Sequence, residues 1–171
     1  MKKETTFSEL KKAGYTDKSI NQEIQDNLIA LIKSKEPVFP DLIGYENSVI
    51  PQLKKAIIAG HHINLLGLRG QAKTKIARSM IDLLDEYIPV VKGSEINDSP
   101  FRPISKYSQG LLNEYGDNTP ISWVHRSERY YEKLATPDVN VSDLIGDIDP
   151  IKAATLKLEY SDEGVLHYGM I

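Results

Sequence analysis

The chain has 171 residues, enough for one ordinary domain or for one domain and a fragment. Its formal charge of −3 and pI near 5.8 argue against a generally basic nucleic-acid binder. Its 40% hydrophobic and 26% charged residues are those of a globular chain and not of a disordered one. No run of apolar residues and glycine exceeds five, whereas a membrane-spanning helix needs about 20 and a secretory signal core roughly 7–15. With no cysteine there is no disulfide framework, thiolate metal site or cysteine nucleophile, and a cytoplasmic protein is expected.

In chain order, Thr6-Phe7-Ser8-Glu9 has the spacing of a capping box, and Gly14 is placed to stop the short helix behind it. Ser19 repeats the cap signal, and Ile20, Ile24, Leu28, Leu31 and Ile32 recur at helical spacing, which predicts a helix over 20–34. Its apolar stripe needs a partner in the segment that follows. Pro37 and Pro40 end it and bracket an extended linker, 36–40. Asn47 or Ser48 can cap a helix with Val49, Leu53, Ala56 and Ile57 on its apolar face, stopped by Gly60. His62-Ile63-Asn64-Leu65-Leu66 predicts a buried parallel strand. Residues 73–87 predict a helix with Ile76, Ala77, Met80, Leu83, Leu84 and Tyr87 on one face, and Pro89-Val90-Val91 a second strand, completing one βαβ unit. Residues 92–120 are rich in Gly and Pro, with a helical turn around 109–115, and the charged, aromatic stretch 123–134 predicts a helix. A short helix starts at Pro150. Alternation of Leu156, Leu158 and Tyr160, then of Val165 and His167, about the turn residues 161–164 predicts a β-hairpin.

The strongest chemical signal is Gly67-Leu68-Arg69-Gly70-Gln71-Ala72-Lys73-Thr74, close to the phosphate-loop pattern G-x-x-x-x-G-K-[ST]. Glycines let successive N–H groups turn inward around an anion. Lys73 would bridge the β- and γ-phosphates of ATP, and the Thr74 hydroxyl would hold Mg²⁺. Ala72 departs from the pattern, which has Gly there; if the position needs positive φ, its Cβ costs roughly 1–2 kcal/mol. The alternative is a glycine-rich turn with a surface lysine. Ile81-Asp82-Leu83-Leu84-Asp85-Glu86 imitates a Mg²⁺-binding acidic strand, but it lies inside the predicted helix, so Asp85 and Glu86 read as a solvated helix end. Asp147 and Asp149 sit in a Gly/Pro-flanked turn.

Phe39-Pro40-Asp41-Leu42-Ile43-Gly44-Tyr45-Glu46, a helix and then the phosphate loop resemble the opening of a AAA+ ATPase module. The stretch from Leu134 through Asp143-Leu144-Ile145-Gly146-Asp147-Ile148-Asp149-Pro150 to Lys152-Ala153-Ala154 is similar to the ATPase (I) subunit of magnesium chelatase and its bacterial relatives. The resemblance implies an α/β fold: a P-loop AAA+ three-layer α/β/α core, incomplete at the C-terminus and preceded by a helical segment, 1–37. Residues 38–171 would be the partial ATPase domain, with an insert at 92–133 and a β-hairpin insertion at about 155–171. Ile43 and Gly44 would lie against the adenine. A complete relative would form a homo-oligomeric ring and use ATP hydrolysis to remodel a partner protein.

The resemblance also places a catalytic acid pair, a sensor, an arginine finger and a helical lid beyond residue 171, so the sequence reads as the front half of a module that hydrolyses ATP poorly. A second reading is a non-catalytic interaction piece that pairs with another polypeptide, and a third is a complete, unrelated phosphotransferase, for which no acidic Mg²⁺ partner is found. His61 and His62, adjacent on a strand, cannot face one metal together. His125 and His167 are isolated; Trp123, Tyr130 and Tyr131 with Arg126 and Arg129 have the residue types that bind nucleic acid by stacking and charge, but read first as a helix packing its aromatics inward with its arginines outward. Arg69 and Arg78 add charge near the phosphates or are solvated surface.

Overall fold

The computed structural model describes residues 4–159 and 162–170. Among these the chain is mixed α/β, with seven α-helices and two small two-stranded antiparallel sheets. It divides into two compact units: residues 16–88 with 125–127, and residues 1–15 with 89–124 and 128–171. No helix among the described residues is long and apolar enough to cross a membrane.

The first unit is built on helices α2 (Ile20–Ser34), α3 (Val49–Ile58) and α4 (Lys73–Ser79), the last continuing into a 3₁₀ turn at Met80–Leu83. The Ser19 hydroxyl caps α2 by accepting the Gln22 N–H at 3.2 Å, and Lys35 in the left-handed region closes the other end. The predicted bounds of α2 match the structure, and its stripe does pack on the following segment. Leu28, Leu53, Ile57, Ile76 and Leu83 form a buried cluster with Ile24, Leu31 and Met80 against it. Polar ties reinforce it. Gln25 Nε2 donates to the Ile57 and Ile58 carbonyls at the end of α3, both at 3.2 Å. Asn27 Nδ2 donates to Leu83 O and Asp85 Oδ1, and the Asp85 N–H donates to Oε1 of buried Glu23 at 2.6 Å. Asp85 is therefore half-buried and paired, not the solvated helix end its position suggests.

Three expectations fail in this unit. The 36–40 stretch is not a linker: Val38 and Phe39 are buried in the cluster with Leu42. The 62–66 segment forms no strand. It is largely exposed, and among the described residues no backbone hydrogen bond reaches it. The helix expected over 73–87 ends earlier, and Tyr87 lies in strand β1 (Tyr87–Val91).

β1 pairs with β2 (Ile121–His125) and not with a strand at 62–66. Lys92 N–H bonds Pro120 O, and Arg126 N–H bonds Glu86 O, so the pair is antiparallel and the βαβ unit is absent. The helix expected at 123–134 is also wrong. Its first residues belong to β2, and only a 3₁₀ turn at Arg126–Arg129 follows. In β2, Ile121 and Trp123 face the second unit's core, where β-branched and aromatic side chains favour a strand.

That core holds Phe7, Leu10 and Ile121, with Tyr15, Phe101, Leu112 and Trp123 packed against it. Helix α1 (Phe7–Lys12) carries the full capping box: the Thr6 hydroxyl accepts the Glu9 N–H, and the Glu9 carboxylate accepts the Thr6 N–H. Phe7 N–H then bonds Thr119 O, and Ile121 N–H bonds Thr5 O, fastening α1 beside the entry to β2. Helix α5 (Lys106–Tyr115) is longer than the turn expected there. Helix α6 (Val141–Ile145) leads to β3 (Asp147–Ile148), then α7 (Pro150–Leu156), with Asp149 accepting the Ile151 and Lys152 N–H groups and Pro150 in the first turn. Strand β4 (Leu166–His167) pairs with β3, Asp147 opposite His167. The hairpin expected over 155–171 is thus replaced by the end of α7 and this β3–β4 pair; Tyr160, Ser161 and Ile171 lie outside the described residues.

Asp98 organises the loop before α5. Only 4% exposed, it accepts hydrogen bonds from the Ser94 and Ser105 hydroxyls and from the Ile104 and Ser105 N–H groups. Burial pushes its carboxyl up, but the Ser105 hydroxyl and the backbone donors outweigh that and hold it below the usual range. A carboxyl depressed in the folded state stabilises the fold above its unfolded value near ~4, and loses that contribution as pH falls through the folded value. Asp98→Asn is expected to cost about 1–3 kcal/mol at pH 7. Urea denaturation from pH 7 to pH 2 should show a shallower loss below pH 4 in the variant; parallel curves would refute the assignment.

Candidate functional site

The phosphate-loop residues lie between the exposed 62–66 segment and α4. Burial of Ile76 at 2% exposure fixes α4 on its core, and the Ile76 N–H takes Ala72 O at 2.8 Å to start the helix. Gly70 turns the chain at φ 80°, a conformation that favours glycine. Ala72 stands at φ 52° and ψ 18°, in the left-handed region. Position 72 therefore does need positive φ, and alanine is strained there. Ala72→Gly removes roughly 1–2 kcal/mol of strain against ~0.5–1 kcal/mol of added chain entropy, so a net gain of up to about 1.5 kcal/mol is expected in thermal denaturation. A loss of stability would contradict the left-handed assignment.

The Lys73 ammonium folds back over the loop, donating to Gly67 O at 2.9 Å and Leu68 O at 2.5 Å. The Gln71 carboxamide does the complementary thing: its Oε1 accepts the Leu68 N–H at 2.8 Å. A Cβ on Gly67 would collide with that same oxygen, so a side chain there would push the Gln71 carboxamide off the loop. Thr74 and Arg69 are exposed. Lys75 Nζ donates to Asp41 O at 2.6 Å, tying the segment that carries Ile43 and Gly44 to the first turn of α4. Ile43 itself is 84% exposed, and the Gly44 N–H donates to Glu46 Oε1 at 3.0 Å. The structure thus gathers Gly67, Leu68, Gln71 and Lys73 into one contact set. Lys75 had no sequence signal, because its partner is a backbone carbonyl far away in the chain.

The other candidates do not compete. A cleft of about 400 Å³ in the second unit is lined by Lys106, Tyr107, Lys152, Glu163 and Tyr168. Several of its polar groups are already engaged: Glu163 accepts the Lys106 N–H and the Tyr168 hydroxyl, and Lys152 donates to Leu166 O. Trp123 packs in the core and donates its Nε1–H to Glu4 O, so its ring is no stacking platform for a base. His125 Nδ1 lies 2.8 Å from the Ser127 hydroxyl, with its ring 5.0 Å from that of Tyr87. Among the described residues no group of three or more metal-ligating side chains comes together. Comparison of the chain with family models, with curated proteins and with solved structures finds no match.

Proposed function

We propose that the chain binds ATP with Mg²⁺ through residues 67–74, as the nucleotide-binding part of a magnesium chelatase-like AAA+ ATPase that remodels a partner protein. The observation that carries the reading is the placement of Lys73, whose ammonium is folded onto the Gly67 and Leu68 carbonyls of the glycine loop. A polyphosphate offers that cation a charged acceptor in place of two neutral ones, and charge-assisted bonds are roughly twice as strong. Lys73 would hold the phosphates, the exposed Thr74 hydroxyl would hold Mg²⁺, and Ile43 with Gly44, tethered through Asp41 and Lys75, would flank the base. The bound nucleotide would supply a transferable phosphoryl group.

The family reading is supported by residues 39–46, 67–74 and 134–154 alone, since the antiparallel pairing of β1 with β2 departs from a three-layer parallel core. Calorimetric titration of MgATP into the chain tests the binding step: Lys73-dependent saturation supports it, and none overturns it. The second reading, an interaction piece completed by another polypeptide, is favoured by the 62–66 segment. Its backbone is unpaired among the described residues, and Leu66 is 87% exposed. Mass measurement of the chain in solution with candidate partners separates the two.

A further inference from the structure

The phosphate loop is already filled by its own side chain. An incoming phosphate oxygen needs backbone N–H donors, and the Leu68 N–H is taken by Gln71 Oε1 at 2.8 Å. A carboxamide oxygen is the same kind of acceptor as a phosphate oxygen, but neutral. The Lys73 ammonium is engaged at the same time by Gly67 O and Leu68 O. Donor and cation are therefore both satisfied within the closed loop. The absence of a side chain at Gly67 is what lets the Gln71 oxygen come so near the backbone. Gln71 is exposed, so nothing in the core holds its side chain in that pose and it is free to rotate outward.

We propose that Gln71 is an intramolecular competitor, a latch whose carboxamide must leave the Leu68 N–H before a polyphosphate can enter. The inference rests on the nucleotide reading above. The latch lowers affinity without blocking binding, because a phosphate oxygen carries charge and forms the stronger bond. Its effect is that of one neutral hydrogen bond in competition with ligand, so Gln71→Ala should tighten MgATP binding by about 2- to 12-fold. The expected direction is opposite to that of an ordinary loop residue, whose truncation weakens binding.

The test uses the full chain, with MgATP as the probe in calorimetry and amide hydrogen exchange at Leu68 followed by NMR without nucleotide. Faster exchange at Leu68 in Gln71→Ala, together with tighter binding, supports the latch. Unchanged Leu68 exchange overturns it, whatever the affinity. Lys73-dependent binding by the wild-type chain that Gln71→Ala leaves equal or weaker overturns the latch and leaves the nucleotide reading standing. No Lys73-dependent binding by either chain overturns both. Circular dichroism checks that both chains are folded.

Discussion

Lys73→Ala is expected to lower MgATP affinity about 10- to 150-fold, the worth of hydrogen bonds to a charged group at roughly 1.5–3 kcal/mol. The same change should leave the fold almost untouched. Among the described residues Lys73 donates to Gly67 O and Leu68 O alone, and both carbonyls belong to exposed residues that water can reach once the ammonium is gone. A stability change within about 0.5 kcal/mol is therefore expected by urea denaturation. The split matters: binding lost with folding intact identifies a ligand-facing lysine, and joint loss would mark a structural one. Arginine is not an equal replacement, because its planar fork does not reproduce a compact point charge over two adjacent carbonyls. Lys73→Arg should recover only part of the affinity. Hydrolysis is expected to be slow in the wild-type chain, since no carboxylate is bonded to Lys73 or Thr74 among the described residues. Vigorous turnover that Lys73→Ala abolishes would refute that expectation.

Local signals were readable from the chain, and long-range pairing was not. The capping box at Thr6 and Glu9, the cap at Ser19 and the Asp149-Pro150 helix start each depend on residues within four positions, and all appear as expected. The phosphate loop is local in the same sense. Its glycines and lysine sit within eight residues, so the pattern could be found without knowing the fold, and the strain at Ala72 could be anticipated as a question about φ. What the pattern left blank was Gln71, a position where any residue is admitted. The failures are all questions of partner. His62-Ile63-Asn64-Leu65-Leu66 has the composition of a strand, but strand composition does not supply the neighbour that would pair its backbone. Ile121-Ser122-Trp123-Val124-His125 did find a neighbour, in β1, and its period-two pattern was hidden by the charged residues that follow. Residues 36–40 were misread for a related reason. Two prolines mark a break in regular structure, and they say nothing about whether the residues between them are buried.

Phe39→Ala tests that last point with the largest stability effect expected in the first unit. Phe39 is 4% exposed and shares its cluster with Leu28, Val38, Leu42, Ile50, Leu53, Ile57, Ile76 and Leu83. Truncating a buried phenylalanine costs about 3–5 kcal/mol, from lost transfer energy and from the cavity left behind. Against a typical total of about 5–15 kcal/mol, that is enough to shift much of the population toward the unfolded state. Phe39→Leu keeps most of the volume and should cost less than about 1.5 kcal/mol. Ile43→Ala, four residues further on at an exposed position, should stay within about 0.5 kcal/mol. The site should respond as well. Ile76 anchors α4 in the same cluster, so loosening the cluster loosens the element that carries Lys73 and Thr74. Urea denaturation of the three variants decides the matter. Phe39→Ala within 1 kcal/mol of the parent chain would show that residues 36–40 behave as a linker after all, and that the loop is held by α2 and α3 without them.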